Sequence, residues 1–395
     1  MFLSLFIILI LGVFGGLLFE KIRLPKLVWY IILGILISPS VFNIIDSELL
    51  NISSYLRQIA LVIILTRSGL SLNIEGLKKI GRPAILMCFL PATFEIIGVS
   101  IFGPMILKIS ITESLLLGSV LAAVSPAIVA PRMINFIEKG YGKERNVPIL
   151  ILAGASCDDI YVIVLFYAFK NLVVTNSFDF VSILQIPLSI ILGILLGIIA
   201  GMFLLIIMKR IKLNIVLKVV IMLGLSFGMI TLENILKPYF SISALLGIIV
   251  MALIVSYKRH DDCIQIQKSY NSLWQFFEIL LFVLVGASIN INYAFSIEGL
   301  LLIGVVFIGL IFRTIGVILS ILFTSYKIKE KIFIIISYLP KATVQASIGG
   351  IALMEGLAVG EVILTAAVIS ILITAPLGAI LIDNLYKKLL EVKDD

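Results

Sequence analysis

Stretches of about 20 apolar residues recur along the whole chain, which is the length a helix needs to cross a bilayer. Of the 395 residues, 61% are hydrophobic and only 13% are charged. Lipid offers no hydrogen bonds to an open backbone, so such runs fold as helices. The chain is therefore predicted to be an all-α polytopic membrane protein without a soluble domain. Its net charge of +7 lies in short loops, which argues against a nucleic-acid partner.

Hydropathy predicts about thirteen transmembrane helices, here called spans 1 to 13. Their predicted bounds are 2–19, 27–45, 54–73, 82–107, 112–136, 147–169, 181–207, 214–236, 241–256, 271–291, 297–323, 331–354 and 360–385.

The loops between the spans alternate in charge. Loops on one side hold most of the Lys and Arg residues, whereas the other side holds only Arg57, Lys108, Lys170 and Lys237. The positive-inside rule then places the N-terminus outside and the C-terminus in the cytoplasm of a plasma or inner membrane.

Two halves of the chain resemble each other at a constant offset of 217 residues. Span 3 ends with Gly-Leu-Ser-Leu-Asn-Ile at 69–74, and span 10 ends with Gly-Ala-Ser-Ile-Asn-Ile at 286–291. Seven spans is an odd number, so the halves are predicted to be an inverted repeat, as in secondary transporters. Residues 1–395 then form one transporter unit, with repeat 1 at about 1–173, a linker span at 181–207 and repeat 2 at about 214–386. Chance likeness between Ile/Leu-rich helices is the alternative.

Spans 5 and 12 carry proline in mid-span, at Pro126 and Pro131 and at Pro340. Proline removes a backbone hydrogen bond and breaks a helix, which lipid tolerates only where the freed groups face protein, water or an ion. Broken helices at matching repeat positions point to a binding site. A simple packing kink is the alternative for each proline.

Asp158 and Asp159 are adjacent inside the apolar run of span 6. Carboxylates at that depth are costly and usually functional, so the pair is predicted to bind a cation or a proton. Neighbours on a helix point about 100° apart, so one aspartate can face the ion path while the other meets a partner. Lys341, at the break in span 12, is the predicted partner of that second aspartate. A purely structural Asp–Lys pair would leave the other aspartate unexplained.

Further charged residues inside spans include Glu95, Arg313 and Glu278. Glu95 and Arg313 occupy near-equivalent repeat positions, and we predict that they form a supporting ion pair. Glu278, in span 10, could approach Lys341 or line an inner funnel, and the sequence leaves this open.

The chain resembles the cation–proton antiporter superfamily, and most of all the sodium–proton antiporter subfamily shared by bacteria and animals. Four motifs carry the resemblance: Thr-Arg-Ser-Gly-Leu at 66–70, Ser-Pro-Ala-Ile-Val-Ala-Pro at 125–131, Gly-Ala-Ser-Cys-Asp-Asp at 154–159 and Leu-Pro-Lys-Ala-Thr-Val-Gln-Ala at 339–346. The resemblance implies a six-helix core in which helices 5 and 12 cross, a dimerisation domain and a homodimer.

By that resemblance, Asp159 is the main carrier of cation and proton, and Asp158 is the aspartate paired with Lys341. Ser125 and Thr343 lie where relatives place polar groups around the crossing. Ser156, in the same motif as the aspartates, and Glu278 are further candidates. The Asp158 and Lys341 pattern is that of the electrogenic branch, but it does not fix the stoichiometry.

The predicted function is exchange of Na⁺ or Li⁺ for H⁺ by alternating access, with Asp158 and Asp159 as the metal-binding carboxylates and no cofactor. A sodium-coupled organic-solute symporter or a cation channel on a related fold is the alternative. An intramembrane enzyme is disfavoured, because the chain lacks the third aspartate of an Asp-Asp-x-x-Asp motif and the second aspartate of a Gly-x-Gly-Asp protease.

Overall fold

A computed structural model describes residues 1–71, 80–175, 180–236 and 242–392, with the side chains of 175, 180–187, 260 and 261 left out. Within these ranges the secondary structure is helical, apart from one isolated antiparallel bridge between Tyr141 and Val392. The helices are α1 (Phe2–Lys21), α2 (Lys26–Ile37), α3 (Ser47–Ser71), α4 (Arg82–Met87), α5 (Leu90–Leu107), α6 (Ile111–Leu121), α7 (Pro126–Glu138), α8 (Val147–Thr175), α9 (Phe180–Arg210), α10 (Ile215–Leu236), α11 (Ala244–Lys258), α12 (His260–Ala287), α13 (Ile291–Ala294), α14 (Ile297–Ser320), α15 (Ile328–Ser337), α16 (Thr343–Ile348), α17 (Ile351–Met354) and α18 (Gly360–Leu389).

Each predicted span coincides with one helix or with an interrupted group of helices, which confirms the all-helical fold. Among the described residues, ten helical segments are long and apolar enough to cross a membrane. Three more apolar segments, at 26–37, 244–258 and 343–354, are shorter. The count of thirteen crossings therefore stays a prediction. Lys237 and the 72–74 end of the first repeat motif lie outside the described residues.

Several predicted boundaries are wrong for local reasons. Span 2 is predicted to reach residue 45, but α2 ends at Ile37, because Ser38 precedes Pro39 and a residue before proline leaves the helical region. Span 4 is interrupted at residues 88 and 89, just before Pro91, which removes a backbone donor. Helix α12 begins at His260 rather than at 271, since a polar first turn escapes a hydropathy window.

Spans 5 and 12 are both broken, as the prolines predicted. Helix α6 ends at Leu121 and α7 begins at Pro126, whereas α15 ends at Ser337 and α16 begins at Thr343. The half-helices begin at 111 and 126 in one repeat and at 328 and 343 in the other, which preserves the sequence offset at both starts. The predicted break at Pro131 is wrong, because this proline lies inside α7 without interrupting it.

The chain divides into two compact units. The first comprises Met1–Ser54, Asn73–Phe169 and Ile279–Asp395, and the second comprises Tyr55–Leu72 and Lys170–Glu278. In the first unit a Cβ on Gly286 of α12 would overlap the carbonyl oxygen of Ile31 of α2. In the second unit Gly69 of α3 approaches the carbonyl oxygen of Ile249 of α11 in the same way. The two repeat-equivalent glycines thus make equivalent close helix contacts.

Replacing Gly286 by alanine is expected to lower the free energy of unfolding by about 1–3 kcal/mol, because the added methyl group forces two packed backbones apart. Thermal unfolding of the purified protein in detergent would measure the loss. Gly304→Ala is the matched control, since no atom lies within 4 Å of a Cβ at that position of α14. Equal unfolding temperatures of the two variants would contradict the close contact.

The C-terminal end of α18 packs against the end of α7. The Tyr386 ring stacks on Phe136 with centroids 4.4 Å apart, and Asp383 accepts two hydrogen bonds of 2.9 Å from Arg132. Beyond the helix, the Gly142 N–H donates to the Glu391 carbonyl at 2.8 Å. Residues 383–391 therefore pack against residues 132–142 of the first repeat.

A candidate ion site at two broken helices

The two helix breaks contact each other directly. The N–H of Ser125, in the first break, donates to the carbonyl of Pro340, in the second, at 2.8 Å. The Lys341 N–H, freed by the second break, donates to Thr374 Oγ1 of α18 at 2.9 Å. Backbone groups that the prolines remove from the helices are thus satisfied by the facing break and by a neighbouring helix.

Four buried charges form a continuous chain beside the breaks. Arg313 Nη2 of α14 lies 2.8 Å from Asp158 Oδ2 of α8, and Arg313 Nη1 lies 3.0 Å from Glu95 Oε2 of α5. Lys341 Nζ lies 2.6 Å from Glu95 Oε1. All four side chains are at most 1% exposed. Two carboxylates and two cations therefore balance in the order Asp158, Arg313, Glu95, Lys341.

The predicted pairing of Asp158 with Lys341 is wrong. Asp158 contacts Arg313 instead, and Lys341 contacts Glu95. The contact between Glu95 and Arg313, which the repeat spacing suggested, is present. Arg313 has two separate nitrogens for two carboxylates, and this fork geometry lets it contact α5 and α8 at once.

The two cations also cap the C-terminal ends of the half-helices. Arg313 donates to the carbonyl of Ala122 at the end of α6, and from Nε to the carbonyl of Tyr338 at the end of α15 at 2.8 Å. Lys341 Nζ donates to the carbonyl of Leu121. Positive charge is favourable at these ends, because the last carbonyls of a helix lack partners and carry its negative dipole.

The first break is held from two further sides. Asp158 Oδ2 accepts a hydrogen bond of 2.9 Å from the N–H of Val124. Gln345 Nε2 of α16 donates to the carbonyl of Ala123 at 2.8 Å and to that of Leu121 at 3.3 Å. Sequence reasoning missed Gln345, although it belongs to the motif that contains Lys341. Only the structure shows that its amide reaches the opposite repeat.

Asp159 is the second aspartate of the adjacent pair in α8. It is 3% exposed, and its Oδ1 has no hydrogen-bond partner among the described residues. The same holds for Asp158 Oδ1 and Ser125 Oγ, both of which are fully buried. Unpaired buried oxygens are costly, and three of them beside a helix break offer ligands to a cation or a proton.

The remaining candidates have simpler surroundings. Ser156 Oγ donates within α8 to the Leu152 carbonyl at 2.9 Å, and the Thr343 carbonyl accepts from Ser347 Oγ at 2.6 Å. Thr343 is buried at the start of α16. Glu278 belongs to the second unit, where its charge acts on Arg67.

No group of three or more His, Cys, Asp or Glu side chains that could hold a resident metal ion occurs in the described ranges.

Helices that break in mid-membrane beside paired buried charges are a construction of secondary ion transporters. The chain belongs to the transmembrane sodium/hydrogen exchanger family, which it matches over residues 5–388. That family is one of transporters.

Two human relatives illustrate the match. The chain is 33% identical to sodium/hydrogen exchanger 9B2 in an alignment 348 residues long, which covers 86% of this chain and 64% of that protein. It is 32% identical to sodium/hydrogen exchanger 9B1 in an alignment 416 residues long, which covers 98% of this chain and 78% of that protein. The chain thus spans less than two-thirds of the length of the 9B2 relative.

The fold also resembles that of a solved structure, the sodium proton antiporter MjNhaP1 from Methanocaldococcus jannaschii at pH 8. The TM-score is 0.82, with 97% of this chain and 96% of that chain covered, at 22% sequence identity. At this identity the likeness concerns the fold.

Proposed function

We propose that this chain exchanges a monovalent cation, Na⁺ or Li⁺, for H⁺ across a membrane by alternating access. The observation that carries the proposal is the buried Oδ1 of Asp159, which has no hydrogen-bond partner among the described residues and belongs to the neighbour of Asp158 at the first helix break. Four neighbouring charges already balance, so Asp159 adds one negative charge that either a proton or a monovalent cation neutralises. Competition between the two at one carboxylate is what couples their movements.

Asp158 has a divided role in this proposal. One of its oxygens is occupied by Arg313 and by the N–H of Val124, whereas the other has no partner in the part of the chain that the structure describes. The occupied oxygen fixes the position of the carboxylate, and the free oxygen is available to the cation. Ser125 Oγ adds a neutral ligand at the break itself, and Thr343 and Ser156 stay outer candidates.

Proteoliposomes test the proposal. The purified protein is reconstituted with an imposed pH gradient and a pH-sensitive dye, and Na⁺, Li⁺ or K⁺ is added in turn. Dissipation of the gradient by Na⁺ or Li⁺, absent from protein-free liposomes, is the expected result. Failure of all three cations to dissipate it would overturn the proposal, and stimulation of Na⁺ flux by an organic solute would favour a symporter instead.

The same assay addresses stoichiometry. With Lys341 held by Glu95, we propose that this lysine keeps its proton through the cycle and that exchange is one for one. Exchange at a clamped membrane potential should then be independent of voltage. A rate that rises with voltage would show that more than one proton moves per cation.

We also propose a homodimer in the plasma or inner membrane, with the N-terminus outside and the C-terminus in the cytoplasm. The charge asymmetry of the loops supports the orientation, and the family resemblance supports the dimer. Impermeant labelling of a cysteine introduced at Lys329, in the first turn of α15, should occur only from the cytoplasmic side. Light scattering of the detergent-solubilised protein would measure the subunit number.

A further inference from the structure

Gln345 is a buried amide that holds the first helix break. It lies in α16, four residues after Lys341, and it is fully buried. Both hydrogen bonds from its Nε2 go to backbone carbonyls of the opposite repeat, those of Ala123 and Leu121. Since a carbonyl only accepts, these two bonds determine which end of the amide is nitrogen.

The other end of this amide is unsatisfied. Gln345 Oε1 is buried and has no hydrogen-bond donor among the described residues. Leaving such an acceptor without a partner is energetically unfavourable, so a buried oxygen of this kind indicates a missing ligand.

Three other oxygens around the same break share this condition. Ser125 Oγ belongs to the break itself, and Asp158 Oδ1 belongs to the carboxylate that holds the Val124 N–H. Asp159 Oδ1 belongs to the next residue of α8. Gln345 and Asp158 both hydrogen-bond to backbone groups of the break, and Asp159 is the neighbour of Asp158. The four unsatisfied oxygens therefore all belong to residues at or next to the first helix break.

The charge balance decides what kind of ligand is missing. Asp158, Glu95, Arg313 and Lys341 compensate one another, and Asp159 alone compensates a monovalent cation. Any further ligand should be neutral, because another carboxylate would leave a net buried charge. Hard cations prefer oxygen ligands, and they accept amide carbonyls together with carboxylates.

We propose that Gln345 Oε1 is a neutral oxygen ligand of the transported cation and that this residue sets the affinity for it. The inference rests on the proposed cation–proton exchange, because it names one more group in the same site. It assigns two tasks to one side chain: the nitrogen fixes the break, and the oxygen binds the ion.

Gln345→Met tests the proposal, because methionine fills a similar volume without an oxygen. In proteoliposomes the KM for Na⁺ and Li⁺ should rise about tenfold, which corresponds to one lost ligand, while the maximal rate stays close to that of the wild type. The rise in unfolding temperature that saturating Na⁺ or Li⁺ gives the wild type should shrink in parallel. This second readout reports binding without transport.

Ser347→Ala is the matched control. Ser347 lies on the same helix and is buried, and its hydroxyl donates to the carbonyl of Thr343 within that helix. Its loss should leave the KM for both cations unchanged.

Gln345→Asn keeps the amide but withdraws its oxygen by one methylene, and it serves if the methionine variant does not fold. It should also raise the KM. A folded variant with wild-type KM values for both cations would overturn the inference, and so would a lower maximal rate at unchanged KM, which indicates a structural role only. Wild-type protein that shows no cation-dependent proton flux would instead remove the proposed function, and the inference with it.

Discussion

Asp159→Asn is expected to reduce cation–proton exchange to the level of protein-free liposomes while the protein stays folded. Asparagine has the same shape as aspartate but holds neither a proton nor a cation by charge, so nothing remains for the two ions to compete for. The buried Oδ1 of Asp159 has no hydrogen-bond partner among the described residues, so removal of this charge costs the fold little and also removes a desolvation penalty. The same dye assay that tests the wild type measures the loss.

Asp383→Asn provides the comparison for this variant. Asp383 is also an aspartate on a long helix, but its side chain is 34% exposed and its partner is Arg132, away from the breaks. An ion pair of that exposure contributes about 0–1 kcal/mol, so exchange and folding should both persist. Retained exchange in a folded Asp159→Asn protein would refute the central role of Asp159, whatever the control shows.

Arg313→Met is expected to be the most destabilising single substitution in the site, with a loss of about 3–5 kcal/mol in the free energy of unfolding. The guanidinium contacts Glu95, Asp158 and the two carbonyls at the half-helix ends. Methionine replaces none of these donors, so Asp158 is left buried without its counter-charge. Thermal unfolding monitored by size-exclusion chromatography would record the effect.

A double variant separates charge from packing. Asp158→Asn together with Arg313→Met removes one charge of each sign and leaves the pair of Glu95 and Lys341 intact. The double variant should therefore unfold at a higher temperature than Arg313→Met alone, with a coupling of about 0.5–3 kcal/mol between the two sites. Arg132→Met is the control for loss of an arginine as such, because it removes a partly exposed arginine from Asp383. If Arg313→Met unfolds at the wild-type temperature, the charge chain does not stabilise the fold.

Local chemistry made the fold and the breaks predictable from the sequence. Apolar runs of membrane length can only be helices, and proline cannot continue one, so Pro126 and Pro340 mark the breaks without knowledge of the tertiary structure. The constant offset between the halves survives in the helix starts at 111 and 328.

The full pairing of the buried charges could not be predicted from the sequence. Asp158 and Lys341 are opposite charges near the two breaks, and nothing in their spacing excludes a bond between them. The choice of Arg313 for Asp158 depends on how α14 packs beside α5 and α8, which is a tertiary fact. Glu95 contacts both Arg313 and Lys341, and the sequence predicts only the first of these contacts.

Gln345 shows a different limit of sequence reasoning. Uncharged amides inside a helical motif carry no signal of their own, because the same residue type serves as a packing group or as a ligand. Its importance comes from bonds to carbonyls that are exposed only because the opposite helix is broken.

The charge chain also has a consequence for biosynthesis. Glu95 and Asp158 precede their partner Arg313 by 218 and 155 residues, so both acidic groups enter the bilayer before the arginine has been translated. The ion site can therefore assemble only after the second repeat has been inserted into the membrane. Until then Glu95 and Asp158 lack Arg313 as a partner. Loss of Arg313 would then expose the misassembled protein to cellular quality control, so the amount of protein in the membrane would fall before the transport rate per molecule does.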